Sequence, residues 1–252
     1  MNPELLLVVL GAGAAAGVLA GLLGIGGGFV FVPALLFLFR AGGVPPEVAM
    51  HLAVGTSLAA IVPTSVSSIA AHSRARNVDW LAFRRLLPGL VAGAALGAAL
   101  ASNVSGVWLT RAFGAFLVLV AVQLAFDARP SAHRELPPPA ATAVAGGVIG
   151  TLSALLGIGG GTLTAPYLVW CNRTMLRAVG TAAAAGLPIA LVGASGFALL
   201  GFVDWPVAAG LGATAMLTAP LGARLAFAVS QRALRWAFAV LLAVVAIELL
   251  AA

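Results

Sequence analysis

From Leu5 to Phe39 the chain carries no charged residue, and from Leu136 to Asn172 it again carries none; the two stretches hold 35 and 37 residues. A helix that crosses a bilayer needs about 20 apolar residues, whereas 35 in one straight helix would extend roughly 50 Å, well beyond the hydrocarbon core. Each stretch therefore has to bend or break. Both carry the means near their middle: Leu22-Leu23-Gly24-Ile25-Gly26-Gly27-Gly28 in the first and Leu155-Leu156-Gly157-Ile158-Gly159-Gly160-Gly161 in the second. Four of these seven identical residues are glycine, which costs up to about 1 kcal/mol each in a helix interior, so the clusters are where a helix would unwind. Gly24 and Gly157 open the breaks, and Pro33 and Pro166 follow five residues after each cluster.

The rest of the chain has the same character. Six more stretches lack Asp, Glu, Lys and Arg: Val48 to Ala71, Leu86 to Thr110, Ala112 to Phe126, Ala178 to Val203, Trp205 to Ala223 and Trp236 to Ile247. Only 8% of residues are charged, against roughly 25% in a soluble domain, which excludes a water-soluble globule. The expected fold is an all-α polytopic membrane protein of about eight spans plus glycine-broken hairpin or re-entrant segments. The opening Met1-Asn2-Pro3-Glu4 lacks the basic region of a cleavable signal peptide, so the first segment is expected to be retained.

All thirteen basic residues are arginine and give a net charge of +6. They lie at the ends of apolar stretches, where basic residues orient spans, and no basic run is interleaved with aromatics, so nucleic acid is excluded as a partner. The single cysteine, Cys171, excludes an internal disulfide and a multi-cysteine metal site. His51, His72 and His133 have no ligand spacing, and no metal, cofactor or catalytic centre is expected. Gly24-Ile25-Gly26 is not a nucleotide loop, because Phe29 stands where the motif needs glycine.

The chain also repeats itself. Ala53-Val54-Gly55-Thr56 returns as Ala178-Val179-Gly180-Thr181, with Pro63 and Pro188 seven residues beyond. Val78-Asp79-Trp80 returns as Val203-Asp204-Trp205, and Leu96-Gly97-Ala98 as Leu221-Gly222-Ala223, all 125 positions on. Residues 1–126 thus form a first transmembrane repeat and 140–252 a second, joined by 127–139, a charged and proline-rich linker. Basic loops remain cytoplasmic. Arg74 and Arg76 put the loop after Val48–Ala71 inside, while its counterpart Gly201-Phe202-Val203-Asp204 has no basic residue and falls outside. Eleven arginines then lie inside and only Arg40 and Arg111 outside. The two repeats are therefore expected to be inverted, with a cytoplasmic linker and both termini extracytoplasmic.

Inverted repeats with breaks at matched positions are the pattern of secondary transporters, whose site forms where the breaks meet near the midplane. Backbone N–H groups at Gly26, Gly27 and Gly28, and at Gly159, Gly160 and Gly161, would cap the helices that follow. Such helix ends carry about half a positive charge and attract anions. Thr162 adds a hydroxyl, and Thr56, Ser57 and Thr181 are further candidates for lining the site; the expected partners are a small anionic substrate and the lipid bilayer. Pro33, Pro63, Pro166 and Pro188 would hinge or break their helices. The competing reading is structural: glycines let helices approach, and hydroxyls bond to their own backbone. Asp79 and Asp204 read as helix N-caps and Trp80 and Trp205 as interface anchors. Arg224 reads as snorkelling to the cytoplasmic interface. Gly193-Ala194-Ser195-Gly196 matches the sequence around an intramembrane serine protease nucleophile, but every histidine precedes it.

The paired Leu-Gly-Ile-Gly-Gly-Gly runs, the prolines that follow them and the paired Gly-Thr segments resemble the TauE/SafE family of sulfite and organosulfonate exporters, over essentially the whole chain. The resemblance implies a bacterial inner-membrane permease for sulfite, sulfonates or related sulfur-containing anions, working without ATP. It carries over to Gly24–Gly28 and Gly157–Gly161, and to Thr56 and Thr181. A passive anion channel or a membrane scaffold is the alternative, and the oligomeric state stays open.

Overall fold

The computed structural model describes residues 3–23, 28–126, 135–225 and 231–251. Among the described residues there are ten helices and no strand: α1 (Pro3–Leu23), α2 (Gly28–Ala41), α3 (Pro46–Arg74), α4 (Trp80–Ala101), α5 (Gly106–Ala125), α6 (Pro139–Leu156), α7 (Gly161–Trp170), α8 (Met175–Leu199), α9 (Trp205–Leu225) and α10 (Gln231–Ala251). Helices α3, α4, α5, α6 and α8 are long and apolar enough to cross a membrane, and α2 and the segments Val8–Leu19 and Trp236–Ala251 are apolar but shorter. The outer surface is apolar as well, with Leu199 90% and Leu217 75% exposed. Helices that satisfy their own backbone and turn leucine outward suit lipid, so this is a multi-pass membrane protein.

The second long apolar stretch is divided between two helices, α6 ending at Leu156 and α7 beginning at Gly161; in the first, α1 runs to Leu23 and α2 begins at Gly28, and 24–27 lie outside the described residues. The third and fourth stretches divide elsewhere than the charges suggest. Arg84 and Arg85 lie within α4 and Arg111 within α5, and the turn falls at 102–105. Caps set that boundary: the Ser105 hydroxyl accepts from the Trp108 N–H at 3.4 Å. An arginine reaches headgroups from inside a helix, so a charge marks the end of a helix only to within a turn or two. Pro33, Pro63, Pro166 and Pro188 lie inside α2, α3, α7 and α8, which continue through them.

Small residues control the packing. Gly89, Gly93 and Gly97 of α4 press on the backbone of Ala143, Gly147 and Thr151 of α6, so the two helices run parallel with their main chains in contact. In the same way Gly13 and Gly17 of α1 meet Leu211, Thr214, Ala215 and Thr218 of α9, and Thr218 Oγ1 donates to Ala14 O at 3.0 Å. Without water to drive helices together, close main-chain approach and interhelical hydrogen bonds supply the attraction. At the centre α3 packs on α8. Gly55, in the first half of α3, meets Phe197 in the last turn of α8 and Phe202 just beyond it, and Gly180, near the start of α8, meets Asn77 beyond the far end of α3, so these two run antiparallel. The pairings repeat when the halves are exchanged: α1 on α9 answers α6 on α4, α2 on α3 answers α7 on α8, and α3 on α9 answers α8 on α4.

Candidate functional site

Helix α6 terminates because Gly157 adopts a left-handed conformation at φ 71°, its N–H bonding to Ala154 O and that of Ile158 to Ser153 O at 3.0 Å. Gly159 and Gly160 are left-handed too, at φ 66° and 75°. Three such residues within four positions would strain any side chain, which is why this turn is glycine. Helix α7 then opens with the Thr164 N–H bonded to Gly160 O at 3.0 Å. Its N-cap is Gly160, so no side chain caps the first turn, and the N–H groups of Gly161, Thr162 and Leu163 point out of the helix end. Proline at 166 has no N–H to return to the carbonyl of Thr162, so a backbone acceptor is released in that turn as well.

The break is enclosed. Gly157 to Gly160 are all buried. The Ser57 hydroxyl of α3 donates to Gly157 O at 2.9 Å. Val32 and Val54 lie against Gly157, Ile61 against Gly159, and Ile189 against Gly160. Gly186 of α8 sits over the Gly159 carbonyl, with Ser65 beside it. The start of α2 arrives at the same place: a Cβ added at Gly28 would lie 2.5 Å from Ile158 Cα and 2.8 Å from Gly157 O. The start of α2 and the turn before α7 are therefore in main-chain contact. Three hydroxyl oxygens of this region, those of Ser153, Thr162 and Thr164, are buried with no hydrogen-bond partner.

The two Gly-Thr pairs do something different. The Asp79 N–H donates to Thr181 Oγ1 at 2.8 Å, and the Asp204 N–H donates to Thr56 Oγ1 at 3.0 Å. Each aspartate then accepts at Oδ1 from the N–H three residues on, Ala82 or Val207, at 3.0 Å. Each threonine thus pins the loop that leads into the other half's helix α4 or α9, and each aspartate caps that helix. Thr181 also donates to Arg177 O at 2.7 Å. Asp79 also pairs with Arg173 Nε at 2.8 Å.

A profile of the sulfite exporter TauE/SafE family matches residues 9–249. The chain belongs to that family. Among TauE/SafE relatives, a probable membrane transporter protein of Haemophilus influenzae is 30% identical over 257 residues, covering 97% of both chains. One of Methanocaldococcus jannaschii is 30% identical, covering 87% of this chain and 85% of its own. The probable membrane transporter protein YunE of Bacillus subtilis is 34% identical over 65% of this chain and 66% of its own. No solved structure matches the chain significantly.

In this TauE/SafE chain, then, the residues expected to form the site divide into groups. Gly28, Gly159, Gly160, Gly161 and Thr162 come together at the break, and Ser57 joins them with its hydrogen already given to Gly157. Thr56 and Thr181 are fully buried, and their recorded bonds serve the loops. Gly24, Gly26 and Gly27 lie outside the described residues. Ser153 and Thr164 were not among the candidates; Ser153 lies one helical turn before Gly157 and is fully buried.

Proposed function

We propose that this TauE/SafE protein is a secondary transporter, working in the direction of export, for sulfite, organosulfonates or related small sulfur-containing anions. Two inverted repeats, residues 1–126 and 140–252, are joined by a cytoplasmic linker at 127–139 in a bacterial inner membrane, with both termini extracytoplasmic. The antiparallel run of α3 against α8, helices at equivalent places in the two repeats, supports the inversion. The observation that carries the functional reading is the contact of Gly28 with Gly157 and Ile158, because a transporter site is expected where two broken helices meet. The uncapped first turn of α7 supplies partial positive charge there, and an anion is the complement of such an end.

The rival protease reading has little support. Ser195 is exposed on α8, and the His51 ring nitrogens face the carbonyls of Glu47, Ala101 and Val104 at 2.9 to 3.1 Å. A nucleophile needs a base within reach, and His51 is held elsewhere.

The test is counterflow in proteoliposomes. Vesicles loaded with unlabelled sulfite are expected to accumulate labelled sulfite transiently against its gradient, whereas a passive channel would only equilibrate it. Equilibration without overshoot refutes the transporter reading, and overshoot with amino acids or sugars but no sulfur oxyanion refutes the substrate class.

A further inference from the structure

We infer that Ser153 is a direct ligand of the transported anion, and that the charged head of the anion is held by the second break rather than shared equally by both. The inference rests on the anion-site reading above and adds to it a residue and an asymmetry.

Ser153 is 0% exposed and its hydroxyl has no partner. Buried hydroxyls are almost always bonded, if only to their own helix. Thr110, Thr151, Thr181 and Thr214 all donate to the carbonyl four residues back, at 2.7 to 2.9 Å. Ser153 has the same option at Ile149 O and does not use it. Its oxygen instead faces the α7 N-cap, 3.7 Å from where a Cβ on Gly160 would stand. Thr164, also 0% exposed, and Thr162 carry unpartnered hydroxyls on the first turns of α7. An oxygen-rich anion at this helix end would accept from the Ser153 and Thr162 hydroxyls and from the N–H groups of α7, all neutral donors.

The first half has no hydroxyl at the matching positions. Aligned on the glycine clusters, Ser153, Thr162 and Thr164 correspond to Ala20, Phe29 and Phe31. Phe29 stacks on Phe116 with ring centroids 5.8 Å apart, and Phe31 is 1% exposed in the core. At these positions α2 therefore carries side chains without a donor, while α6 and α7 carry hydroxyls.

The experiment uses the full chain in nanodiscs, with sulfite and methanesulfonate as probes, and measures both affinity and the melting temperature without ligand. Ser153→Ala is expected to weaken binding of both probes about tenfold or more, the worth of one hydrogen bond to a charged group. Its melting temperature without ligand should be unchanged or raised, since an unsatisfied buried hydroxyl is removed. Ser153→Cys, a slightly larger side chain and a weak donor, should lose affinity as well, and Thr151→Val should bind as the parent does. If the parent binds and both Ser153 variants bind equally well, the inference falls and the anion-site reading stands. If Ser153→Ala lowers the melting temperature along with binding, the hydroxyl is structural and the inference falls. If the parent binds neither probe, both readings fall.

Discussion

Removing the Ser57 hydroxyl is expected to destabilise the protein through the break. In the fold Ser57 is 0% exposed and donates to Gly157 O at 2.9 Å. The acceptor is the carbonyl of a buried left-handed residue, against which Val32 and Val54 pack. Ser57→Ala takes its side-chain donor from that buried carbonyl, at a cost of about 1–3 kcal/mol. For a chain of this size each kcal/mol moves the melting temperature by about 2–4 °C, so a fall of roughly 2–12 °C is expected. The single cysteine makes the assay simple, because Cys171 is 0% exposed and a thiol-reactive fluorophore will label it as the fold opens. Ser102→Ala is the control: its hydroxyl donates to Ala99 O in an exposed turn, where loss is expected to cost less than about 0.5 kcal/mol. Equal melting temperatures for Ser57→Ala and Ser102→Ala would refute the view that Ser57 holds the break.

Thr56→Val and Thr181→Val each leave one loop N–H unpaired, of Asp204 or Asp79, and are expected to cost about 1–3 kcal/mol apiece in the same unfolding assay; a marked effect of one with none of the other would show that the two loop contacts are not equivalent. Asp79→Asn keeps a capping oxygen and breaks only the contact with Arg173, which is 30% exposed on the arginine side, so stability should fall by about 1 kcal/mol or less and sulfite affinity should hold. In a Cys171→Ala background, Ala75→Cys is expected to resist a membrane-impermeant maleimide added outside whole cells and Gly43→Cys to react; strong labelling at position 75 would overturn the proposed orientation.

Much of the fold could be read from the residues because the physics is local. Uncharged runs of 35 and 37 residues cannot be single spans, and in the second, four glycines in seven say where it divides. Asp79 and Asp204 look like caps in sequence and accept from Ala82 and Val207 in the structure. What could not be read depends on packing. Thr56 and Thr181 look like candidates for lining a site, yet each bonds a loop about a hundred or more positions away, and no pattern along the chain reveals such a partner. Ser153 was missed for the opposite reason. A serine in an apolar helix normally bonds its own backbone, and only the fold shows that this one does not. The turn at 102–105 was misplaced because charge was read as a helix end, whereas the Ser105 cap sets it.

The most direct measurement of the central claim is the position of a bound oxyanion. Selenite has the shape and charge of sulfite and scatters anomalously, so crystals of the protein grown with it would show the selenium atom without ambiguity. The account expects one selenium peak at the first turn of α7, within hydrogen-bonding reach of the Ser153 and Thr162 hydroxyls and beside Gly28. A peak at another place in the fold, with the α7 N-terminus empty, would contradict it.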